Sequence, residues 1–278
     1  MKFKKMKAIL TASALAATVF VSAGCGRTTK ADEERNLEKK LEEKYGEEFT
    51  VIKSYVSDPY WWDDAPGGLK ATCCLKDDES MVFEATYGLA GKTVWYDSYN
   101  QAVLERKMTA DLEQFLSDRC DNYFVRAHVD KPSPYDADSA NYTDFTSADD
   151  VTISSYEEMY GEKMEVTFYV VLDWARASRS YSYANEILGL YSKRFKDANI
   201  SFHCFLQSIE MIEAAKNISE RENYTGEDVL IYLKGCGITD YHFKHEKDKG
   251  FYLFKAYGLT TNGEEFVKDG SEFYESEE

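Results

Sequence analysis

Residues 58–68 read DPYWWDDAPGG and set Tyr60, Trp61 and Trp62 beside Asp63 and Asp64, between Pro59 and Pro66. A rigid, exposed indole stacks on the apolar face of a sugar ring while neighbouring carboxylates accept hydrogen bonds from its hydroxyls. The same pairing also holds a basic peptide through cation–π contact and charge. In extended backbone, successive side chains point to opposite faces. One tryptophan is therefore expected to press into the fold and the other to turn toward solvent or a cleft. The competing reading is packing, because tryptophan is highly buried on average and a loop indole commonly covers a neighbouring element. Tyr60, Trp95 and Tyr96 suit either version.

Signatures of catalysis are missing from the rest of the chain. There is no G-x-S-x-G or H-E-x-x-H, and Gly235-Cys236-Gly237 lacks the third glycine of a dinucleotide loop. Gly91-Lys92-Thr93 resembles the end of a phosphate loop, but Thr86 stands where the first glycine belongs, so the stretch reads as a turn between strands. Of the histidines, His242 and His245 have opposite parity in a strand and cannot share a metal without a bulge, and His128 and His203 read as satisfied or solvated. Cys73, Cys74, Cys120, Cys204 and Cys236 show no C-x-x-C spacing and read as small buried hydrophobes, with one disulfide as the alternative and no zinc set at His203-Cys204. The acidic run Asp136 to Asp144, with Asp149-Asp150, lacks the glycine and final glutamate of a calcium loop and reads as a solvated linker. No cofactor, metal or catalytic residue is expected. The alternative function is an envelope hydrolase whose carboxylates do not stand out in so acidic a chain.

The N-terminus carries a clearer signal. Lys2, Lys4, Lys5 and Lys7 precede an apolar run from Ala8 to Phe20, the layout of a signal peptide. The run is too short to cross a bilayer, which takes about 20 apolar residues. It ends in Val21-Ser22-Ala23-Gly24-Cys25. This segment resembles the lipobox of bacterial lipoproteins, with Val21 and Ser22 where leucine is commonest. The resemblance implies cleavage between Gly24 and Cys25 and a diacylglyceryl thioether on Cys25. It covers only the first residues of the chain. Two acyl chains at ~0.8 kcal/mol per CH₂ sum to on the order of 20 kcal/mol, enough for stable retention, whereas one chain binds only marginally. The implied location is the extracytoplasmic side of the cell membrane, and the implied partner is the bilayer itself.

Loss of residues 1–24 removes four lysines and no acid, moving the net charge from −17 to −21. Such a field repels nucleic acid phosphates and anionic lipid headgroups and favours cations and basic partners, so nucleic acid is not expected as a partner, while the tryptophan–aspartate stretch points to an envelope glycan or a basic peptide. With 44% hydrophobic and 15% aromatic residues the remainder can still build a core.

The elements that position the candidate residues follow from periodicity. A tether (25–36) leads to a helix over 32–45, where Leu37, Leu41 and Tyr45 share a face and Gly46 ends it. Strands are expected at 48–57, 69–76 and 80–87. A helix follows from the Asp97-Ser98 cap to 118, then a strand at 122–129. Further strands at 163–172 and 200–207 alternate with helices at 181–196 and 208–222. A short helix after Thr225 and a hairpin of 238–246 with 251–257 come next. The class is α+β: a helix, an antiparallel meander, then helices interleaved with strands and a closing hairpin. The twenty polar residues 131–150 divide an N-terminal subdomain (37–130) from a C-terminal one (151–260), and an acidic tail (261–278) is expected to be loose. The segments EEKYGEEFTV and EEMYGEKMEV, at 42–51 and 157–166, match at six of ten positions. They read as two helices ended by glycine ahead of a strand rather than as a duplication.

Overall fold

The computed structural model describes residues 29–57, 68–89, 92–130, 145, 147–161, 164–195, 198–219, 239–246, 250–259 and 265–269. Outside them lie the expected signal segment with Gly24 and Cys25, the stretch with Tyr60, Trp61, Trp62, Asp63 and Asp64, residues 131–144 and the helix expected after Thr225. The fold is α+β. Helix α1 (Lys30–Tyr45) opens with a capping box in which Thr29 and Asp32 bond each other's backbone N–H, and it closes on Gly46 in the left-handed region. Leu37, Leu41 and Tyr45 form its buried stripe. Strands β1 (Phe49–Ser57), β2 (Gly68–Leu75), β3 (Asp78–Gly88) and β4 (Thr93–Asp97) follow as an antiparallel meander.

Helix α2 (Tyr99–Ser117) buries Val103, Leu104, Met108, Leu112 and Leu116. Of the expected Asp97-Ser98 cap, only Asp97 bonds the helix through its side chain. Asp97 Oδ1 accepts from Tyr99 N at 3.2 Å, while Ser98 Oγ accepts from Glu84 N at 3.0 Å. Buried Asp97 also accepts from Lys44 Nζ at 2.8 Å and from the Tyr45 hydroxyl at 2.6 Å, joining the end of α1 to the start of α2. Then come β5 (Tyr123–Asp130), a 3-10 turn (Ala148–Asp150), α3 (Ile153–Tyr160), β6 (Glu165–Asp173), a second 3-10 segment (Trp174–Arg179), α4 (Ser180–Arg194), β7 (Asn199–Gln207), α5 (Ile209–Ser219), β8 (Thr239–Glu246), β9 (Gly250–Leu259) and β10 (Glu265–Asp269).

The second sheet runs β10-β9-β8-β7-β6-β5, with β6 and β7 parallel across the α4 crossover and the other pairs antiparallel. One core cluster takes in α1, α2, the inner face of the first sheet (Leu69, Ala71, Phe83, Tyr87) and one face of the second (Val166, Phe168, Phe202, Cys204). A smaller cluster lies on the opposite face, where Ile212 and Ala215 of α5 meet Phe124, Tyr169, Val171 and Phe205. Edge strands are capped by helix side chains. Val51 N donates to Glu38 on α1 at 2.9 Å, and Ala127 N and Val129 N donate to Thr109 and Glu105 on α2 at 3.0 and 2.9 Å.

Three findings differ from the sequence reading. Strand β5 lies inside the stretch assigned to the N-terminal subdomain, yet it pairs with β6, so the change of sheet falls at α2. Residues 265–269, within the tail expected to be loose, form β10 against β9, because Glu265 to Asp269 find an open strand to pair with. Strand β4 is five residues long, and a bulge interrupts its alternation. The two similar segments each end a helix at a glycine of positive φ, Gly46 and Gly161, before a strand begins.

Candidate functional site

The first sheet turns Leu69, Ala71, Cys73, Phe83, Ala85 and Tyr87 inward. Its outer face carries the alternate positions. One cross-strand row reads Tyr55, Lys70, Thr86, Tyr96, and the next toward the loop end reads Ser57, Gly68, Gly88, Thr93. Trp95 is the extra residue of β4, since Thr86 pairs with Tyr96 and Tyr87 with Val94. A bulge of this kind re-aims a side chain. Here it lays the indole over the two glycines: a Cβ on Gly88 would fall on Cε2, Cζ2 and Nε1 of the ring, and one on Gly68 would come within 3.2 Å of Cζ3. Bare backbone beneath the ring is therefore a steric requirement.

The result is an aromatic platform with one side seated on the sheet. Trp95 remains 37% exposed and Tyr55 57%, with the Lys70 ammonium exposed and the Thr86 hydroxyl half-buried between them. Chemically, an indole face bordered by hydroxyls and an ammonium suits a ring that is apolar on its face and polar at its rim. The segment that holds Tyr60, Trp61, Trp62, Asp63 and Asp64 leaves the sheet at Ser57 and returns at Gly68, which are paired with one another next to Gly88. Those five residues lie outside the described ones, whereas Trp95 and Tyr96, their suggested companions, lie on this face. The sequence reading missed the contribution of Tyr55, Lys70, Thr86 and the glycine pair. The signal available for it was Gly68 and Gly88, each ending a strand pattern close to an aromatic strand.

The other sequence candidates occupy structural positions. His128 Nδ1 lies 2.9 Å from Glu105 Oε1 and its Nε2 lies 3.1 Å from Asp130 Oδ1, so both ring nitrogens donate to carboxylates. Burial alone would lower its pKa. The hydrogen bonds and charges of Asp130 and Glu105 outweigh that and raise it to about 10. A ring held as imidazolium is a clip rather than a general base. His203 stacks on Tyr169, with centroids 5.2 Å apart, and on Phe205 at 6.0 Å. His242 pairs in register with His203, and His245 with Ile200.

Cys73, Cys74, Cys120 and Cys204 are buried thiols outside any disulfide, and burial pushes the Cys73 thiol far up, which keeps it unreactive. Lys92 sits in the β3–β4 turn with φ of 49°. Asp149 and Asp150 belong to the 3-10 turn that Ser147 caps. Among the described residues no three of His, Cys, Asp and Glu are grouped to hold a metal ion, and no helix is long and apolar enough to cross a membrane.

Residues 34–135, which span α1, the first sheet, α2 and β5, match a family model described as a domain of unknown function, DUF5037. The fold is similar to the crystal structure of a DUF5037 family protein from Ruminococcus gnavus ATCC 29149. The TM-score is 0.56 at 19% identity, and the match covers 78% of this chain and 93% of that one. At this identity the likeness is one of fold. No curated protein matches the chain.

Proposed function

We propose that this chain is a lipid-anchored extracytoplasmic binding module, retained at the membrane through Cys25 and taking a saccharide on the outer face of its four-stranded sheet. The observation that carries the reading is the Trp95 indole laid across Gly68 and Gly88 and still 37% exposed. A ring so seated loses little freedom when a sugar stacks on it, so the ordering cost of binding is low. Tyr55, Lys70 and Thr86 form the neighbouring cross-strand row on the same face. The segment with Trp61, Trp62, Asp63 and Asp64 joins Ser57 of β1 to Gly68 of β2 in the chain. A net charge of −21 once residues 1–24 are lost keeps the module away from polyanions. Binding of this sort calls for no nucleophile and no paired general acid and base.

The test has two parts. The mature chain is titrated with envelope glycan fragments, with tryptophan fluorescence and calorimetry as readouts. Saturable binding is expected, weakened about tenfold by Trp95→Ala, which corresponds to about 1.4 kcal/mol of stacking. A basic peptide that saturates the same face while glycans do not would replace the saccharide reading. For the anchor, Cys25→Ala should abolish labelled-palmitate incorporation and leave the precursor uncleaved. A Cys25→Ala chain that matures normally and still partitions with membranes would remove the lipid attachment from the proposal.

A further inference from the structure

We infer that the saccharide taken by the Trp95 face carries a carboxylate on the ring that stacks there, received by the Lys70 ammonium; this rests on the saccharide reading above. The indole reaches across β3 to β2. Its Cε2, Cζ2 and Nε1 stand where a Cβ on Gly88 would fall, and its Cζ3 lies 3.2 Å from the place of a Cβ on Gly68. Lys70 is the next residue on that face of β2, because Leu69 and Ala71 point into the core. Two residues of strand measure about 6.6 Å. The flexible four-carbon stem of a lysine covers that distance, so the ammonium reaches the rim of a sugar laid on the indole. A hexuronic acid presents its carboxylate at that rim, where a neutral hexose presents a hydroxymethyl group.

Charge on this face supports the choice. The chain has 50 Asp and Glu against 33 Lys and Arg, so a lysine readily finds a carboxylate. Lys30, Lys40, Lys44 and Lys76 do so, with Glu34, Glu43, Asp97 and Glu48. Lys70 and Lys53 are exposed and, among the described residues, neither ammonium makes an ion pair or a hydrogen bond. Glu84, an acid on the same face, pairs in register with Thr72, one row further from the indole than Lys70 and its partner Thr86. Two ammonium groups without counter-charges repel a basic peptide, the other ligand that an indole accepts. They also govern what sits beside them, since at physiological salt a charge acts mainly within a Debye length of about 8 Å. The acidity of the whole chain still turns away a polyanion. The ligand that satisfies both conditions is a saccharide with one acidic ring among neutral ones.

The experiment titrates the full mature chain with cellobiouronic acid, with its methyl ester and with cellobiose, which share their ring faces and differ in charge. Neutral envelope glycan fragments are run beside them, with calorimetry and tryptophan fluorescence as readouts. The acid should bind about tenfold more tightly than the ester or cellobiose, and added salt should narrow the gap. Lys70→Gln, at an exposed position that does not endanger folding, should erase the difference between acid and ester, and Lys70→Glu should reverse it. Trp95→Ala should weaken all three ligands. Equal affinity for acid and ester, a preference that survives Lys70→Gln, or saturation by neutral fragments without any by the acid would overturn the inference and leave saccharide binding standing. If no saccharide, acidic or neutral, saturates the face, the saccharide reading falls and the inference falls with it.

Discussion

At His128 two carboxylates compete with burial for control of one proton. Both ring nitrogens are committed, to Glu105 at 2.9 Å and Asp130 at 3.1 Å, so the hydrogen bonds exist together only while the ring is charged. A histidine whose pKa is higher folded than unfolded stabilises the fold fully below its unfolded value. That contribution is lost as pH climbs through the folded value. For His128 the window runs from the ordinary 6.5 to about 10. Asp130, held below the usual carboxylate range chiefly by its hydrogen bond to the same ring, contributes in the opposite direction, losing its share only as pH falls into the acid range. Urea midpoints measured across pH should therefore decline from near neutrality toward pH 10 in the parent chain and decline less in His128→Gln. Parallel profiles for the two proteins would mean that the ring carries no charge in the fold.

Side chains from α1 and α2 stand in for the strand missing at one edge of each sheet, β1 and β5. The Thr109 hydroxyl accepts from Ala127 N at 3.0 Å, with both residues buried, so neither group has ready access to water. Thr109→Val keeps the shape and removes the acceptor, leaving a buried N–H unsatisfied at a cost of about 1–3 kcal/mol. Denaturant unfolding should register that loss, and exchange at the Ala127 amide should speed up. A variant as stable as the parent would show that the edge is held by packing alone. These contacts also mark where legibility in the sequence ends. The stripe of Leu104, Met108 and Leu112 announced α2, and the Leu37–Leu41–Tyr45 spacing announced α1, because helix periodicity is local. Which helix caps which strand is not local. The same limit hid β4, where the bulge at Trp95 breaks the alternation, and β10, whose five residues acquire a strand's conformation only by pairing with β9. The aromatic platform was half legible: Trp95 and Tyr96 stood out by type, but the two glycines that receive the indole are twenty residues apart and meet only through the β2–β3 register.

The two sheets share α2. On one side its Arg106 pairs with Asp78 of β3. On the other, Asp111 meets Arg194 of α4 at 2.6 Å, Phe115 packs edge-on against Tyr183, and the Met108 carbonyl accepts from the Tyr191 hydroxyl at 3.4 Å. Residues from both sheets belong to the same buried cluster, in which Leu112 is 1% exposed. A polar stretch at 131–150 suggests a division into halves. Pairing of β5 with β6 across that stretch, together with the common core, argues that the sheets lose structure together. Leu112→Ala, a large-to-small change at the centre of α2, should cost about 2–5 kcal/mol. The loss should appear as one displaced transition, with far-ultraviolet dichroism and tryptophan fluorescence coinciding, because the cavity opens beneath both sheets at once. Two separated transitions, only one of them shifted by the substitution, would show instead that each sheet holds a core of its own. The Trp95 face would then ride on the N-terminal half alone.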